Sequence, residues 1–529
     1  VTGGTTRRGA LRAAAAVAAT PLLPLAGCLS TAGLPGAAPG APGAPSTAAA
    51  GSADDPPAAP REFRAAWVAT VANIDWPSRP GLSAQAMRAE AVAMLERART
   101  IGLNALILQV RPAADAIYPS ALEPWSEYLG GEQGRPPWAA GEAPWDPLAF
   151  WLQEAHARGL ELHVWFNPYR ARHSAAKSPP APTHVAQRMP QIVRSYGDML
   201  WMDPGEPAAA AHTLAVVADV LRRYAVDGVH IDDYFYPYPV QQRGADLPFP
   251  DDAPFARYAA GGGLLARDDW RRANVDAMVQ ALHRTVRETR PGARFGVSPF
   301  GLGRPDRRPP GITGFSQYDR LYADVERWLA NGWMDYLAPQ LYWPRDRAGQ
   351  PFEPLLDYWL AENSAARHVF PGLFTSRIVV AAPERVLGPN AWPASEIVEQ
   401  VRLTRSRPAA GGHIHFSMAA LMQDRDGIAT LLQQGPYAQP ALPPATPWLG
   451  DRAPPAPGLR GSGARVEILP AAGATVARWA VWRQRGGRWQ FDVLAPAATV
   501  LDATGAERIA VAAVDRLGNL SPYQWLGLR

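Results

Sequence analysis

The densest set of side chains able to do chemistry lies in Asp227-Gly228-Val229-His230-Ile231-Asp232-Asp233-Tyr234-Phe235-Tyr236-Pro237-Tyr238-Pro239. If 228–232 is a strand, alternation puts His230 and Asp232 on one face and Val229 and Ile231 on the other. Val229 and Ile231 suit packing beneath helices, so His230 and Asp232 point to the interior, with Asp233 following on the loop. Taking two adjacent carboxylates out of water is costly unless something uses them. The pair suits cleavage of a glycosidic bond: an ionised group stabilises or captures an oxocarbenium ion, and a carboxylic acid protonates the leaving oxygen. A helix N-cap or a structural pair with arginine is the competing reading of the same residues.

Further groups fall at other strand ends. In 160–167 the inward face would carry His163, Trp165 and Asn167, and an asparagine there can hydrogen-bond a sugar hydroxyl or orient a carboxylate. Tyr169 and Arg170 follow as candidate substrate contacts; a lone inward histidine is more often core, and that reading is kept for His163 beside the substrate one. The loop after 105–110 brings Arg111, Asp115 and Glu127, of which Arg111 is a candidate sugar contact and the two acids candidate second carboxylates. Gln340, Tyr342 and Trp343 offer a donor, a hydroxyl and a flat face for a pyranose. Tyr234 and Trp67 extend this set. Trp67, Trp76, Trp125, Trp165 and Trp343 fall at predicted strand ends or mouth loops, while Trp328 and Trp359 sit at core spacing within predicted helices.

A metal-dependent hydrolase must be weighed, because His163, His230, Asp232, His413 and His415 all fall on predicted strands. Such enzymes usually carry His-x-His on the first strand, whereas His413-Ile414-His415 lies on the last. The only lysine, Lys177, sits in a Pro/Ser-rich loop, away from any carbamate position. No metal and no cofactor is expected. A non-catalytic glycan-binding protein using the same cleft is the other alternative.

The elements that must position these groups alternate. Strands are expected at 65–71, 105–110, 160–166, 228–232, 294–297, 336–341, 368–373 and 412–417. Helices are expected at 84–101, 147–158, 207–224, 268–290, 320–331, 354–365, 394–406 and 419–433. Repeated βα units imply parallel strands with helices outside. Eight of them over 61–436 point to an α/β (β/α)8 TIM-type barrel, whose active groups sit at the C-terminal strand ends. An open doubly wound sheet is the competing topology. A Pro/Ala-rich linker is expected at 437–460 and a small all-β sandwich at 461–529, whose ending resembles the final hairpin of fibronectin type III modules.

The chain's start reads as an export signal. Arg7, Arg8 and Arg12 precede an apolar stretch too short to span a bilayer, ending in Leu25-Ala26-Gly27-Cys28. The twin arginines resemble a Tat signal and the last four residues a lipobox, so 1–28 is read as a signal peptide with lipidation at Cys28. Cys28 is the only cysteine, which leaves no disulfide, thiolate zinc site or catalytic thiol downstream. Residues 29–60, almost wholly Ala, Pro, Gly and Ser, read as a disordered tether. The formal charge of +4 falls to +1 without the three signal arginines, so no nucleic-acid partner is expected.

Several segments together resemble one family. They are Trp67…Trp76-Pro77, Leu108-Gln109-Val110-Arg111-Pro112, Glu123-Pro124-Trp125-Ser126-Glu127-Tyr128-Leu129, Trp165-Phe166-Asn167-Pro168-Tyr169-Arg170, the run from Asp227 to Pro239, Val297-Ser298-Pro299-Phe300-Gly301 and Ala338-Pro339-Gln340-Leu341-Tyr342-Trp343-Pro344. In this order they resemble the bacterial glycosyl-hydrolase-like lipoproteins that include the divisome-localised glycoside hydrolase. The resemblance covers most of 61–436. It implies a barrel in the cell envelope acting on peptidoglycan strands, preferentially those stripped of stem peptides, with the cell-division machinery as a partner; separately, Leu29 after Cys28, in place of Asp, suggests sorting to the periplasmic face of the outer membrane. Asp-Gly-x-x-x-Asp also resembles more distant retaining glycosidases, whose nucleophile or stabiliser would fall on Asp232. Those clans carry a glutamate on the fifth strand, where this chain has Ser298-Pro299-Phe300. The acid is therefore not carried over, and Asp233, Asp115 and Glu127 remain candidates. The same residues suit hydrolytic and lytic cleavage alike.

Overall fold

A computed structural model describes residues 55–138, 141–379 and 391–528. The expected signal, Cys28 and most of the expected tether lie outside the described residues. Among the described residues no helix is long and apolar enough to cross a membrane.

The main sheet is built from β1 (Phe63–Val68), β2 (Ala105–Arg111), β3 (Glu161–Phe166), β4 (Gly228–Ile231), β5 (Arg294–Val297), β6 (Tyr336–Leu337), β7 in two pieces (His368–Val369 and Gly372–Leu373) and β8 (Gly412–His415). Every pairing in it is parallel. The first piece of β7 pairs with β6 and the second with β8, while β8 pairs with β1. Gly372 also bridges Gln340 just beyond β6, and the curled parallel sheet with its helices resembles a TIM-type fold.

Two apolar layers follow from strand alternation. Phe63, Ala65, Trp67, Ala105, Ile107, Trp165, Tyr336, Phe370 and Ile414 fill the inside of the curl. Val164, Phe166, Val229, Ile231, Phe295 and Val297 join the outer core beneath the helices. The helices α1 (Ala84–Ile101), α2 (Pro147–Ala157), α3 (Pro207–Arg223), α4 (Arg267–Thr289), α5 (Val325–Ala330), α6 (Phe352–Ala361), α7 (Ala394–Arg405) and α8 (Ile428–Gln434) cover that layer. Helix α1 shows why. The Ser83 side chain caps its start by accepting from the Ala86 amide, Gly102 ends it in a left-handed conformation, and Met87, Ala91, Met94, Leu95, Ala98 and Ile101 bury one face.

Some elements are shorter than the sequence pattern suggests. Tyr322 at φ +56° interrupts the helix expected at 320–331, and the Asp324 side chain caps a new start for α5. The helix expected at 419–433 breaks at Asp424, Asp426 and Gly427, all with positive φ. The expected linker 437–460 is not free of the barrel along its first half. Tyr437 and Leu442 are buried, Leu442 exchanges backbone hydrogen bonds with Pro60 and Glu62, and the Trp448 indole donates to Asp335 at 2.7 Å. Ala59 also packs against a buried cluster, so the last residues of the expected tether belong to the fold.

The C-terminal region holds two antiparallel sheets. One comprises β9 (Gly458–Ser462), β10 (Arg465–Leu469) and β13 (Val500–Asp502). The other comprises β11 (Arg478–Arg485), β12 (Arg488–Leu494), β14 (Arg508–Val514) and β15 (Gln524–Gly527). Their shared core includes Val466, Ile468, Trp479, Val481, Leu501, Ile509 and Val511. Arg478 joins this unit to the barrel, its Nε donating to the Gly159 carbonyl at 2.8 Å, and Arg516 donates to the Ala225 carbonyl at 2.6 Å. Both carbonyls precede strands, so the sandwich sits against the N-terminal end of the barrel.

Candidate active site

At the opposite end, where the strands finish, lies a cavity of about 290 Å³. Trp67, Trp165, Arg170, Asp232, Asp233, Tyr234, Tyr238, Ser298, Phe300, Gln340, Tyr342 and Phe416 line it, and Ala69, Val71, Ile74 and His173 complete the wall. Asp232 and Asp233 are each 3% exposed, and that small exposure faces the cavity. Thus the fourth strand delivers both carboxylates to one concave, aromatic space.

Each aspartate is held by its own donors. Asp232 Oδ2 accepts from Trp165 Nε1 at 3.0 Å and from Asn167 Nδ2 at 3.2 Å. Asn167 is fully buried, and its Oδ1 accepts the Arg170 amide at 2.8 Å, which fixes the turn leaving β3. The Asp233 carboxylate accepts from the Tyr238 hydroxyl and from Gln340, whose Nε2 also donates to the Ser298 carbonyl at 3.0 Å. Burial pushes Asp232 up to about 7; the Arg170 guanidinium opposes this, and the adjacent Asp233 charge adds to it. Burial likewise raises Asp233 to about 6, against the hydrogen bond from Tyr238. Between those values the lowest-energy arrangement is one proton on Asp232 and a charge on Asp233.

A polar chain runs beneath the cavity floor. Trp67 Nε1, which can only donate, lies 3.2 Å from His230 Nε2, so that nitrogen accepts and the Ser298 hydroxyl at 2.8 Å donates to it as well. His230 Nδ1 then carries the proton and donates to the Tyr336 hydroxyl at 3.0 Å, which donates in turn to His163 Nδ1 at 2.9 Å. His163 Nε2 closes the chain on Glu161, which pairs with Arg294 at 2.6 Å. Burial drives the His230 pKa well below that of a free imidazole, consistent with the neutral tautomer. Two glycines make room for this layer: a Cβ on Gly296 would lie 2.0 Å from the Tyr336 ring, and one on Gly228 would lie 2.4 Å from His163.

Other residues expected at the site lie elsewhere. Arg111 is fully buried, its Nε 2.9 Å from Glu123 Oε2 and its Nη1 donating to the Asn167 carbonyl at 2.6 Å, so it clamps the turn after β3 and does not line this cavity. Asp115 is buried with Ser126, Gln133 and the Ala113 amide. Glu127 Oε2 accepts the Lys177 and Ser178 amides, each at 2.9 Å, and pins a loop. Tyr169 is sealed in the outer core, and Trp343 packs edge-on to Phe300, 5.5 Å between ring centres. His163, His230 and Asn167 act through other residues and do not line the cavity. The histidines weighed as metal ligands are divided between networks, since His413 and His415 both bond Tyr437. Among the described residues no group of three His, Cys, Asp or Glu side chains is placed to hold a metal ion.

The structure adds Tyr238, Ser298, Phe300 and Phe416. Tyr238, Ser298 and Phe300 stand within segments the sequence already marks, while Phe416 has no signal beyond its place near the end of the last expected strand.

The glycosyl hydrolase-like 10 model matches residues 62–384 of this chain. The chain belongs to the glycosyl hydrolase-like 10 family. It is 38% identical over 405 residues to "Glycosyl hydrolase YngK" of Bacillus subtilis (strain 168), covering 75% of this chain and 76% of that protein. It is 35% identical over 329 residues to "Glycosyl hydrolase DigH" of Escherichia coli (strain K12), covering 58% and 72%. Among solved structures it resembles the PgaB (BpsB) glycoside hydrolase domain from Bordetella bronchiseptica, with a TM-score of 0.45, 13% identity, and coverage of 71% of this chain and 98% of that one. This member of the glycosyl hydrolase-like 10 family is a glycoside hydrolase.

Proposed function

We propose that this glycoside hydrolase cuts peptidoglycan glycan strands that lack stem peptides. In this reading, lipidated Cys28 holds it at the periplasmic face of the outer membrane, and the division machinery is a partner. A complete (β/α)8 barrel with a fibronectin type III-like sandwich is part of the same reading. The observation that carries it is the Asp232–Asp233 pair, buried among aromatic rings yet open to the cavity. Trp67, Trp165 and Tyr342 offer ring faces for sugar C–H groups, and Arg170 offers a donor. Asp232, which keeps its proton near neutral pH, is the general acid and the principal catalytic carboxylate. Asp233 carries the negative charge that opposes charge building on the sugar.

Purified sacculi with and without prior amidase treatment are the substrates for the test. Wild-type enzyme is expected to release new glycan ends mainly from amidase-treated sacculi. Asp232→Asn should lower that rate by roughly 10²–10⁴-fold while leaving the thermal transition in place. Strand binding without new ends would instead make the protein a glycan binder, and wild-type turnover by Asp232→Asn would remove Asp232 from the mechanism.

A further inference from the structure

The two aspartates are consecutive residues, with Cα atoms about 3.8 Å apart, and both reach the cavity from the end of one strand. No other carboxylate lines the cavity among the described residues. A protein nucleophile or base working with a protein acid must stand across the reacting carbon from it, about 5–5.5 Å away for retention and 6.5–9.5 Å for inversion. Both acids here come from one strand end, and no carboxylate enters the cavity from another strand among the described residues.

The remaining wall has a different complementarity. The Trp67 and Phe416 rings lie 6.2 Å apart and the Tyr342 and Phe416 rings 5.7 Å apart, forming an apolar niche. Gly372 permits it: a Cβ there would sit 3.1 Å from the Trp67 ring and 3.2 Å from the Tyr342 ring. The Tyr342 hydroxyl has no hydrogen-bond partner among the described residues, and it lies close enough to Asp233 to feel its charge. An apolar niche holding one unpaired hydroxyl beside a carboxylate matches an acetamido group. Its methyl would meet rings, its carbonyl would accept from the phenol, and its N–H would donate to the acid.

Resting on the glycosidase reading of this cavity, we propose that it takes a 2-acetamido sugar whose own acetamido oxygen, and no protein carboxylate, attacks the anomeric carbon. Asp233 holds the acetamido N–H and Tyr342 positions its carbonyl. As the oxygen–C1 bond forms, the glycosidic C1–O bond breaks, and the departing oxygen keeps that electron pair and takes the proton from Asp232. The result is a cyclic oxazolinium ion whose N–H remains on Asp233. Water then adds to C1 and gives its proton to the Asp232 carboxylate, while the ring oxygen–C1 pair returns to the acetamide. The sum is one glycosidic bond and one water consumed.

The test uses peptide-free glycan strands in three forms: N-acetylated, chemically de-N-acetylated, and de-N-acetylated then N-trifluoroacetylated. Binding of a sugar thiazoline, a stable mimic of the cyclic ion, is measured by calorimetry. The proposal expects cleavage of acetylated strands, at least roughly 100-fold slower cleavage of trifluoroacetylated ones because their carbonyl oxygen is a poorer nucleophile, and none of the amine form. It expects thiazoline binding that weakens in Asp233→Asn and in Tyr342→Phe. Equal cutting of amine and acetylated strands, or a glycosyl ester trapped on an aspartate by a 2-fluoro sugar, overturns it and leaves the glycosidase reading standing. If wild type cuts no strand, the peptidoglycan reading fails, and thiazoline affinity alone then decides the acetamido assignment.

Discussion

At the scale of single residues, the decisive feature is that two neighbouring carboxylates hold different protonation states. Burial strips Asp232 of water, the Arg170 guanidinium and the Trp165 and Asn167 donors offset this only in part, and its proton stays until about pH 7. Asp233 has Tyr238 and Gln340 on its oxygens and gives up its proton near 6. The working form therefore exists mainly between these two values, and kcat/KM against pH should be a narrow bell. Its acid limb follows Asp233 and its alkaline limb Asp232. In Asp233→Asn the like charge is gone, so a titration of Asp232 followed by carbon-13 NMR should move to lower pH. An unmoved Asp232, or a plateau extending past pH 9 in the wild type, would contradict the pairing. Stability carries the opposite sign from activity. Both folded-state values lie above the unfolded value of 3.8, so the native state binds more protons than the unfolded chain, and stability falls as pH rises from about 4 to 7. The site is tuned for chemistry at a cost to the fold.

At the scale of elements, strand alternation explains what the sequence discloses and what it hides. Val229 and Ile231 outward with His230 and Asp232 inward follow from a period of two, and β4 obeys it. The same rule puts Trp165 on the inward face, where it lines the cavity. It cannot say how deep an inward residue lies, and depth separates His230 and His163, in the interior layer, from Asp232 at the mouth. The charged residues at and after the end of β2 are the least legible. Arg111, Asp115 and Glu127 all look available in the sequence, yet each is consumed by a partner brought from elsewhere: Glu123, Gln133 and the Lys177 amide respectively. Arg111→Met separates the two readings. It leaves Glu123 buried with only His212 for company, so a loss of about 3–5 kcal/mol is expected by denaturant melts. A sugar contact would instead show as a raised KM with unchanged stability.

At the scale of the whole molecule, the barrel divides chemistry from attachment. The cavity opens at the C-terminal strand ends, while Arg478 and Arg516 fasten the sandwich at the N-terminal end, and Arg61 reaches the Gly518 carbonyl at 2.8 Å from the same side. The segment 437–449, legible only as a Pro-rich linker, seals that end with Tyr437, Leu442 and Trp448, because its apolar residues are too widely spaced to announce a buried strand or helix. A sandwich docked there cannot touch a sugar in the cavity, so its effect on turnover of a soluble strand should be nil. Arg478→Ala combined with Arg516→Ala removes two charged tethers to half-buried carbonyls and leaves Glu161 with Arg294 as its remaining cationic partner. Thermal melting should shift down by about 2–4 °C for each kcal/mol lost, or split into two transitions as the sandwich loosens. Meanwhile kcat/KM on soluble peptide-free strands should hold, since no group lining the cavity has changed. A fall of more than about threefold, roughly 0.6 kcal/mol of transition-state stabilisation, would mean that the two ends of the barrel are coupled through its interior chain of Glu161, His163, Tyr336 and His230.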